Sequence, residues 1–358
     1  MAVEVTNRVR TGQAWAKRGM NVLRAQFDSR FVPVWLGLGM LIVFSMFAAP
    51  ASLERTSLQA IMPFAAFLAV AAMGQAIVVM NGGIDLSIPA IMTMVGVILL
   101  DVSGGNNANL AQAVAVALGM ATLVGAANGV LVSRFRLNAL VVTLAMGTLV
   151  TGGTFWFRGG VAPESRVPPA LADWGANRAF GISYPAFVAV ALMVLITLIL
   201  HYTVAGRRFT AAGASPRAAY IAGVRVEAYQ IGAYAIAGLL YGITAIMLAA
   251  FIRTPGLQMG SPYLLPTVVA VVIGGASLAG GTGSVVATVG GALFIVQLEQ
   301  ALRVMGASSA YQFILEGGVI ALSMLLSTHL SSLSGAATAI RRFARTNTVW
   351  RAAGKGVQ

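Results

Sequence analysis

The chain has 358 residues, of which 58% are hydrophobic and only 9% are charged. Soluble globular proteins carry about 25% charged residues and roughly 45–50% apolar ones, so this composition excludes a water-soluble enzyme. The formal net charge is +13, but the basic residues fall between apolar runs instead of clustering on one face, which argues against nucleic-acid binding. Cysteine is absent and only two histidines occur, so no metal or other cofactor is expected.

Apolar runs of membrane-spanning length recur along the chain. A transmembrane helix needs about 20 apolar residues, and helices are the default spanning element. We therefore predict an all-α, polytopic integral membrane protein with about ten transmembrane helices. The runs lie near residues 31–50, 57–80, 88–101, 110–132, 139–157, 182–203, 229–251, 263–279, 284–304 and 311–328. This divides the chain into a basic N-terminal segment (1–30), a transmembrane domain (31–330) and a basic tail (331–358).

The basic residues are distributed unevenly over the two sides of this predicted topology. Seventeen of the 23 Lys and Arg residues fall on the side of the termini, and the other six fall on the opposite side. Basic residues concentrate on the cytoplasmic side of membrane proteins. The bias predicts that both termini are cytoplasmic.

No segment has the features of a nucleotide-binding loop. The Gly-rich segment from Gly280 to Ser284 lacks the Lys that contacts the terminal phosphates, and the Gly354-Lys355 pair is not followed by Ser or Thr. Uphill transport would therefore need energy from a partner or from an ion gradient. An ion gradient requires ionisable groups at membrane depth, where they are costly and usually functional. The candidates are Asp85, Glu299 and Glu316.

Asp85 lies in a Gly-containing segment, residues 81–87, between two apolar runs. Gly82 and Gly83 would interrupt a helix, and either Asp85 or Ser87 could cap the next one. The alternative is a place on a translocation path. The polar side chains that could line such a path are Asn81, Asp85, Ser87, Asn128 and Thr143.

Two further polar residues leave alternatives open. The amide of Asn128 needs a partner within the bundle, so it makes either an interhelical contact or a pore-lining hydrogen bond. Glu299 lies near the outer end of its run, where reaching the interface or contacting a neighbouring helix is favoured over proton relay. The residues around Glu316 favour no role.

A short helix is predicted between the sixth and seventh apolar runs. Ser215 suits its N-cap and Pro216 its first position, while Gly223 ends it. Arg217, Ala218 and Ala219 lie between these signals, and so short a loop offers no core to bury them. This favours a docking element for another protein over a plain re-entry turn.

Four stretches, taken together, resemble one family. They are Gly82–Ser87, Gly125–Val132 leading to Asn138–Leu144, the helix from Gly213 to Gly223, and Val272–Ser284. In this order they are similar to the permeases of bacterial ABC importers for monosaccharides, of the ribose, xylose and arabinose type. That family belongs to a wider group that includes branched-chain amino acid and nucleoside permeases.

The resemblance implies a transport subunit of the bacterial inner membrane that is not itself an enzyme. It implies a second permease subunit in a homo- or heterodimer, a cytoplasmic ATP-binding-cassette ATPase that hydrolyses ATP, and a periplasmic sugar-binding protein that selects the sugar. The alternatives are a permease of the same group for branched-chain amino acids or nucleosides, and an ion-coupled secondary transporter. The residues implied to form the coupling helix to the ATPase are Gly213, Ser215, Pro216, Arg217, Ala218, Ala219 and Gly223.

Overall fold

The computed structural model describes residues 31–161 and 166–308, together with Ala310, Tyr311, Ile314, Gly317 and Gly318. The predicted N-terminal segment (1–30), the predicted tail (331–358), Glu316 and most of the tenth apolar run lie outside the described residues. The rest is a helical bundle with one small hairpin, in which β1 (Arg178–Ala179) pairs antiparallel with β2 (Ile182–Ser183). The helices are α1 Val32–Ala48, α2 Arg55–Met80, α3 Ile88–Ser103, α4 Leu110–Ser133, α5 Ala139–Phe157, α6 Pro169–Ala176, α7 Tyr184–Tyr202, α8 Val204–Ala214, α9 Pro216–Ile221, α10 Val226–Ile252, α11 Leu264–Ile273 and α12 Val285–Val304.

The first nine predicted runs each contain one apolar helix. Within the described residues, six helices are long and apolar enough to cross a membrane, namely α2, α4, α5, α7, α10 and α12. Three apolar helical stretches are shorter: α1, α3, and α11 with the 3-10 turn that precedes it. The predicted class, an all-α polytopic membrane protein, is confirmed.

Helices α2 and α10 form the centre of the bundle, where 89% of the apolar window of α2 and 61% of that of α10 are buried. Helix α10 packs against α2, α3 and α4. Its approach to α4 depends on glycine: a Cβ atom at Gly125 would collide with the carbonyl oxygen of Tyr234, and one at Gly129 would lie 2.7 Å from Ile231 Cα. The two backbones therefore pack in direct contact, as small residues permit in membrane helices.

Helices α5 and α7 lie at the periphery, with only 17% and 11% of their apolar windows buried. Helix α5 is nevertheless attached to the bundle at both ends. Near its start, the Leu86 N–H donates a hydrogen bond to Thr143 Oγ1 at 3.0 Å. Just beyond its end, Arg158 pairs with Asp101 of α3 at 2.6 Å.

The prediction of one continuous span over residues 263–279 is wrong. Helix α11 ends at Ile273, and its ten residues rise only about 15 Å, roughly half the thickness of the hydrocarbon core. Gly275, Gly280 and Gly281 have φ values of +77°, +87° and +81°, which L side chains avoid and a right-handed helix cannot contain. The apolar composition of this stretch concealed the end of the helix, because hydropathy does not report backbone conformation.

Candidate functional site: a buried polar joint and a short exposed helix

Asp85 orders the turn that leads from α2 into α3. Its side chain is fully buried, and Oδ1 accepts hydrogen bonds from Ser87 N at 2.9 Å and from Ser87 Oγ at 2.5 Å. Ser87 occupies the N-cap position of α3, but its side chain makes no capping hydrogen bond. Asp85 thus closes a local Asx turn. Ser87 is the N-cap residue that the sequence allowed, but neither side chain accepts a hydrogen bond from the first turn of α3.

The same turn is tied to two other helices. Asn128 Nδ2 on α4 donates to Ser87 Oγ at 2.9 Å. Thr143 Oγ1 on α5 accepts from the Leu86 N–H and donates to the Ala139 carbonyl at 2.8 Å. We call Asp85, Ser87, Asn128 and Thr143 the polar joint. Of the two alternatives for Asn128, the structure shows the interhelical contact.

The polar joint is closed to solvent. Its four side chains and Asn81 are all 9% exposed or less in the isolated chain, and a second subunit could only bury them further. Asn81 stands apart at the end of α2, with neither amide atom bonded to a described residue. A residue that lines an open path must reach water or solute. The geometry of the joint therefore suits a connection between α3, α4 and α5, and a role in translocation stays a prediction.

Helix α10 adds polar groups that the sequence analysis missed. The hydroxyl of Tyr234 packs directly against Gly83 and has no hydrogen-bond partner among the described residues. Two helical turns further on, the Tyr241 hydroxyl donates to Gln75 Oε1 of α2 at 3.1 Å. Tyr234 and Tyr241 lie seven residues apart in one apolar run. This spacing places both on one helix face and was the signal available in the sequence.

Glycines bring two loops and the end of helix α8 together beside Met80, at the end of α2. The Gly281 N–H donates to the Met80 carbonyl at 3.0 Å, and a Cβ atom at Gly213 would collide with the same carbonyl. A Cβ atom at Gly280 would lie 2.9 Å from Gly82 Cα. The Gly-rich segment that resembled an incomplete nucleotide loop therefore packs against the turn of the polar joint and the end of α8.

Helix α9 begins and ends as predicted. Ser215 Oγ accepts a hydrogen bond from the Ala218 N–H at 3.4 Å, and Pro216 occupies the first helical position. Gly223 has a φ of +78°, and the Val224 N–H bonds back to the Ala219 carbonyl at 2.9 Å. This is the glycine-terminated C-cap that the sequence indicated.

Only part of α9 is available to a partner. Arg217 and Ala218 are exposed, as are Tyr220 (75%) and Ile221 (86%). Ala219 is only 4% exposed, so its side chain packs into this chain and does not contribute to an outer surface. The pair Tyr220-Ile221, two large apolar residues in a basic segment, was the signal for this surface that the sequence analysis passed over.

Glu299 lies in the last turns of α12 and pairs with Arg303 at 3.7 Å in an i, i+4 arrangement. Its side chain is partly exposed, at 24%. This pair lies within α12, so the expectation that Glu299 reaches the interface or contacts a neighbouring helix stays a prediction.

Comparison with known proteins identifies the chain at this point. Residues 57–328 match the family described as "Branched-chain amino acid transport system / permease component". The chain belongs to this permease family. It is accordingly a multi-pass transport subunit of the bacterial inner membrane.

Several curated permeases are similar over most of their length. A ribose import permease protein of Escherichia coli (strain K12) is 33% identical over 278 residues, which cover 76% of this chain and 83% of the relative. An L-arabinose ABC transporter permease protein of Azospirillum brasilense is 32% identical over 68% of this chain and 71% of its own. A fructose import permease protein of Rhizobium meliloti is 30% identical over 82% and 84%. No solved structure gives a significant match.

Proposed function

We propose that this permease passes a monosaccharide across the inner membrane as part of an ATP-driven importer. Relatives named for ribose, arabinose and fructose import support a sugar. The family description favours a second candidate, a branched-chain amino acid.

The observation that carries the proposal is helix α9. It is capped at both ends and presents Tyr220 and Ile221 to the outside. The preceding helix α8 packs at Gly213 against the Met80 carbonyl. A short, rigid, exposed helix with apolar side chains suits insertion into a groove of a cytoplasmic ATPase. The further partners are a second permease subunit, a periplasmic sugar-binding protein and the surrounding lipid.

The proposed topology has ten crossings and cytoplasmic termini, which places α9 in the cytoplasm. The alternative, an ion-coupled mechanism, would use Asp85 or Glu316. One carboxylate oxygen of Asp85 is occupied in a buried hydrogen-bonded turn, which favours a structural role for that oxygen, and Glu316 lies outside the described residues.

Uptake by whole cells tests the proposal. Deleting the gene for this chain should abolish uptake of one labelled sugar among ribose, arabinose and fructose and leave leucine uptake intact, and the gene on a plasmid should restore it. Loss of leucine uptake instead would favour the second candidate. Sugar uptake should also persist when an uncoupler collapses the proton gradient at constant ATP, and its loss under that condition would contradict ATP coupling.

A further inference from the structure

The connection between α10 and α11 runs deep into the bundle without being helical. It starts at the outer surface, where the carbonyl of Arg253 accepts a hydrogen bond from Val167 of the α5–α6 connection at 3.0 Å. A Cβ atom at Gly96, halfway along α3, would lie only 2.6 Å from Met259 Sδ. Gly96 is seven residues from Ser103, where α3 ends, so Met259 lies about 10 Å below the end of that helix.

Gly260 lies deeper still. Its N–H donates to Thr93 Oγ1 at 3.3 Å, and Gly260 packs directly against the Pro89 backbone. Thr93 and Pro89 lie about 15–20 Å from the end of α3. Helix α11 then completes the crossing. The eighth crossing of the proposed topology is thus non-helical over residues 254–260 in one half of the bundle. In the other half it is the helix α11.

This non-helical segment has free polar groups at membrane depth. The N–H groups of Gly256, Leu257 and Gln258 make no hydrogen bond to any residue that the structure describes, and the side chains of Gln258 and Ser261 are exposed. Irregular backbone with unpaired polar groups is not tolerated against lipid and occurs at this depth only where protein buries it or where it lines a water-filled cavity. The described part of the chain buries Pro255 and Gly260 but leaves Thr254, Gln258 and Ser261 exposed, so this exposed side requires water unless a second subunit covers it.

We propose that residues 254–262 line the solute path of the assembled permease, where Gln258, Ser261 and the free N–H groups of residues 256–258 bind solute hydroxyl groups. Discontinuous helices near the midplane hold the solute sites of many transporters. An amide side chain and a hydroxyl both donate and accept hydrogen bonds, as a sugar hydroxyl requires. No Asp or Glu occurs from residue 253 to residue 263, so the segment offers no counter-charge to an amino-acid ammonium group. The choice of a sugar rests on the proposed function.

The absence of cysteine from the whole chain makes thiol labelling a direct test. Gln258→Cys and Ser261→Cys are labelled from the outside with a charged, membrane-impermeant thiosulfonate in intact cells, with and without the transported sugar. Val194→Cys is the matched control, because Val194 is 46% exposed near the middle of the peripheral helix α7, on a surface that we expect to contact lipid. Phe180→Cys, at the fully exposed tip of the hairpin, reports that the reagent has reached the protein.

The proposal expects labelling at positions 258, 261 and 180 and none at position 194. The sugar should protect positions 258 and 261, and their adducts should abolish uptake. If Gln258→Cys or Ser261→Cys is not labelled, as is expected for Val194→Cys, the proposal is overturned. Labelling that neither responds to the sugar nor affects uptake would also overturn it. A disulfide between the two subunits of an unlabelled Gln258→Cys dimer would indicate a dry contact between them and would also overturn it. Protection by leucine but not by any sugar would keep the path and refute the monosaccharide proposal.

Substitutions of increasing size at Gly256 test the path without thiol labelling. A Cβ atom there meets nothing within 4 Å, and its φ is not in the left-handed region. Gly256→Ala and Gly256→Trp should therefore both retain expression, and Gly256→Trp should lose uptake because the ring fills the path. Full uptake with Gly256→Trp in a normally expressed protein would contradict the assignment.

Discussion

At the scale of single residues, the polar joint shows how an acidic side chain is held deep in an apolar bundle. Asp85 uses one oxygen to accept two hydrogen bonds from Ser87, and Ser87 in turn accepts one from Asn128. Each bond removes a polar group that would otherwise be left unsatisfied, at a cost of about 1–3 kcal/mol. Local structure thus accounts for one oxygen of the carboxylate, whereas the other, Oδ2, is buried without a partner among the described residues.

Substitutions at Asp85 separate structure from transport. Asp85→Asn keeps an oxygen that accepts from Ser87, so the melting temperature of the purified permease should change little. Asp85→Ala leaves the Ser87 N–H and hydroxyl without an acceptor and should destabilise the protein by about 1–3 kcal/mol, measured as a lower melting temperature in detergent. If Asp85→Asn keeps its stability but loses uptake, the charge itself takes part in transport, and a purely structural joint is refuted.

Gly213 is predicted to be intolerant of any side chain. Its Cβ position is occupied by the backbone carbonyl of Met80, and backbone cannot move aside as a flexible side chain can. Gly213→Ala should therefore reduce the yield of folded permease in size-exclusion chromatography. Gly119→Ala is the control, since Gly119 lies in α4 with open space around it and alanine favours helix. Equal yields for the two variants would show that the loops at Met80 can separate without cost.

At the scale of elements, α9 and the Gly-rich loops form a single connection. The loops at Gly82 and Gly280 and the end of α8 are in backbone contact, and α9 follows α8 after one residue, Ser215. A force on α9 would therefore reach the turn of the polar joint, and through Asn128 and Thr143 it would reach α4 and α5. If α9 is the proposed coupling helix, these contacts would connect a docked ATPase to α4 and α5.

Neighbouring alanines on α9 give a matched pair of variants. Ala218→Glu places a charge on the exposed side and should leave expression and monodispersity unchanged while abolishing co-purification of the ATPase, because central contacts dominate such interfaces. Ala219→Glu buries the same charge inside the chain and should destabilise the permease itself. Arg217→Ala serves as the control for simple loss of positive charge. Normal ATPase recovery with Ala218→Glu would refute α9 as the coupling helix.

At the scale of the whole molecule, the distribution of basic residues predicts on which side of the membrane each loop lies. Reporters fused after Arg136 and Arg217 should read cytoplasmic, and a reporter fused between Arg166 and Arg178 should read periplasmic, because the basic residues lie mainly on the side of the termini. Alkaline phosphatase and green fluorescent protein fusions measure the two sides. A periplasmic reading at Arg217 would place α9 out of reach of any ATPase.

Composition and periodic apolar runs were enough to determine the class of this protein, because lipid accepts only long apolar helices whose backbone is internally bonded. The ends of α9 were also readable, since caps depend on local residues such as Ser215 and Gly223. Tertiary structure alone decided that Ala219 is buried, that Asn128 contacts Ser87, and that the apolar helix after α10 is confined to Leu264–Ile273. Those outcomes depend on contacts between residues far apart in the chain, such as Gly260 with Thr93 and Met80 with Gly213, which neither hydropathy nor local propensity records.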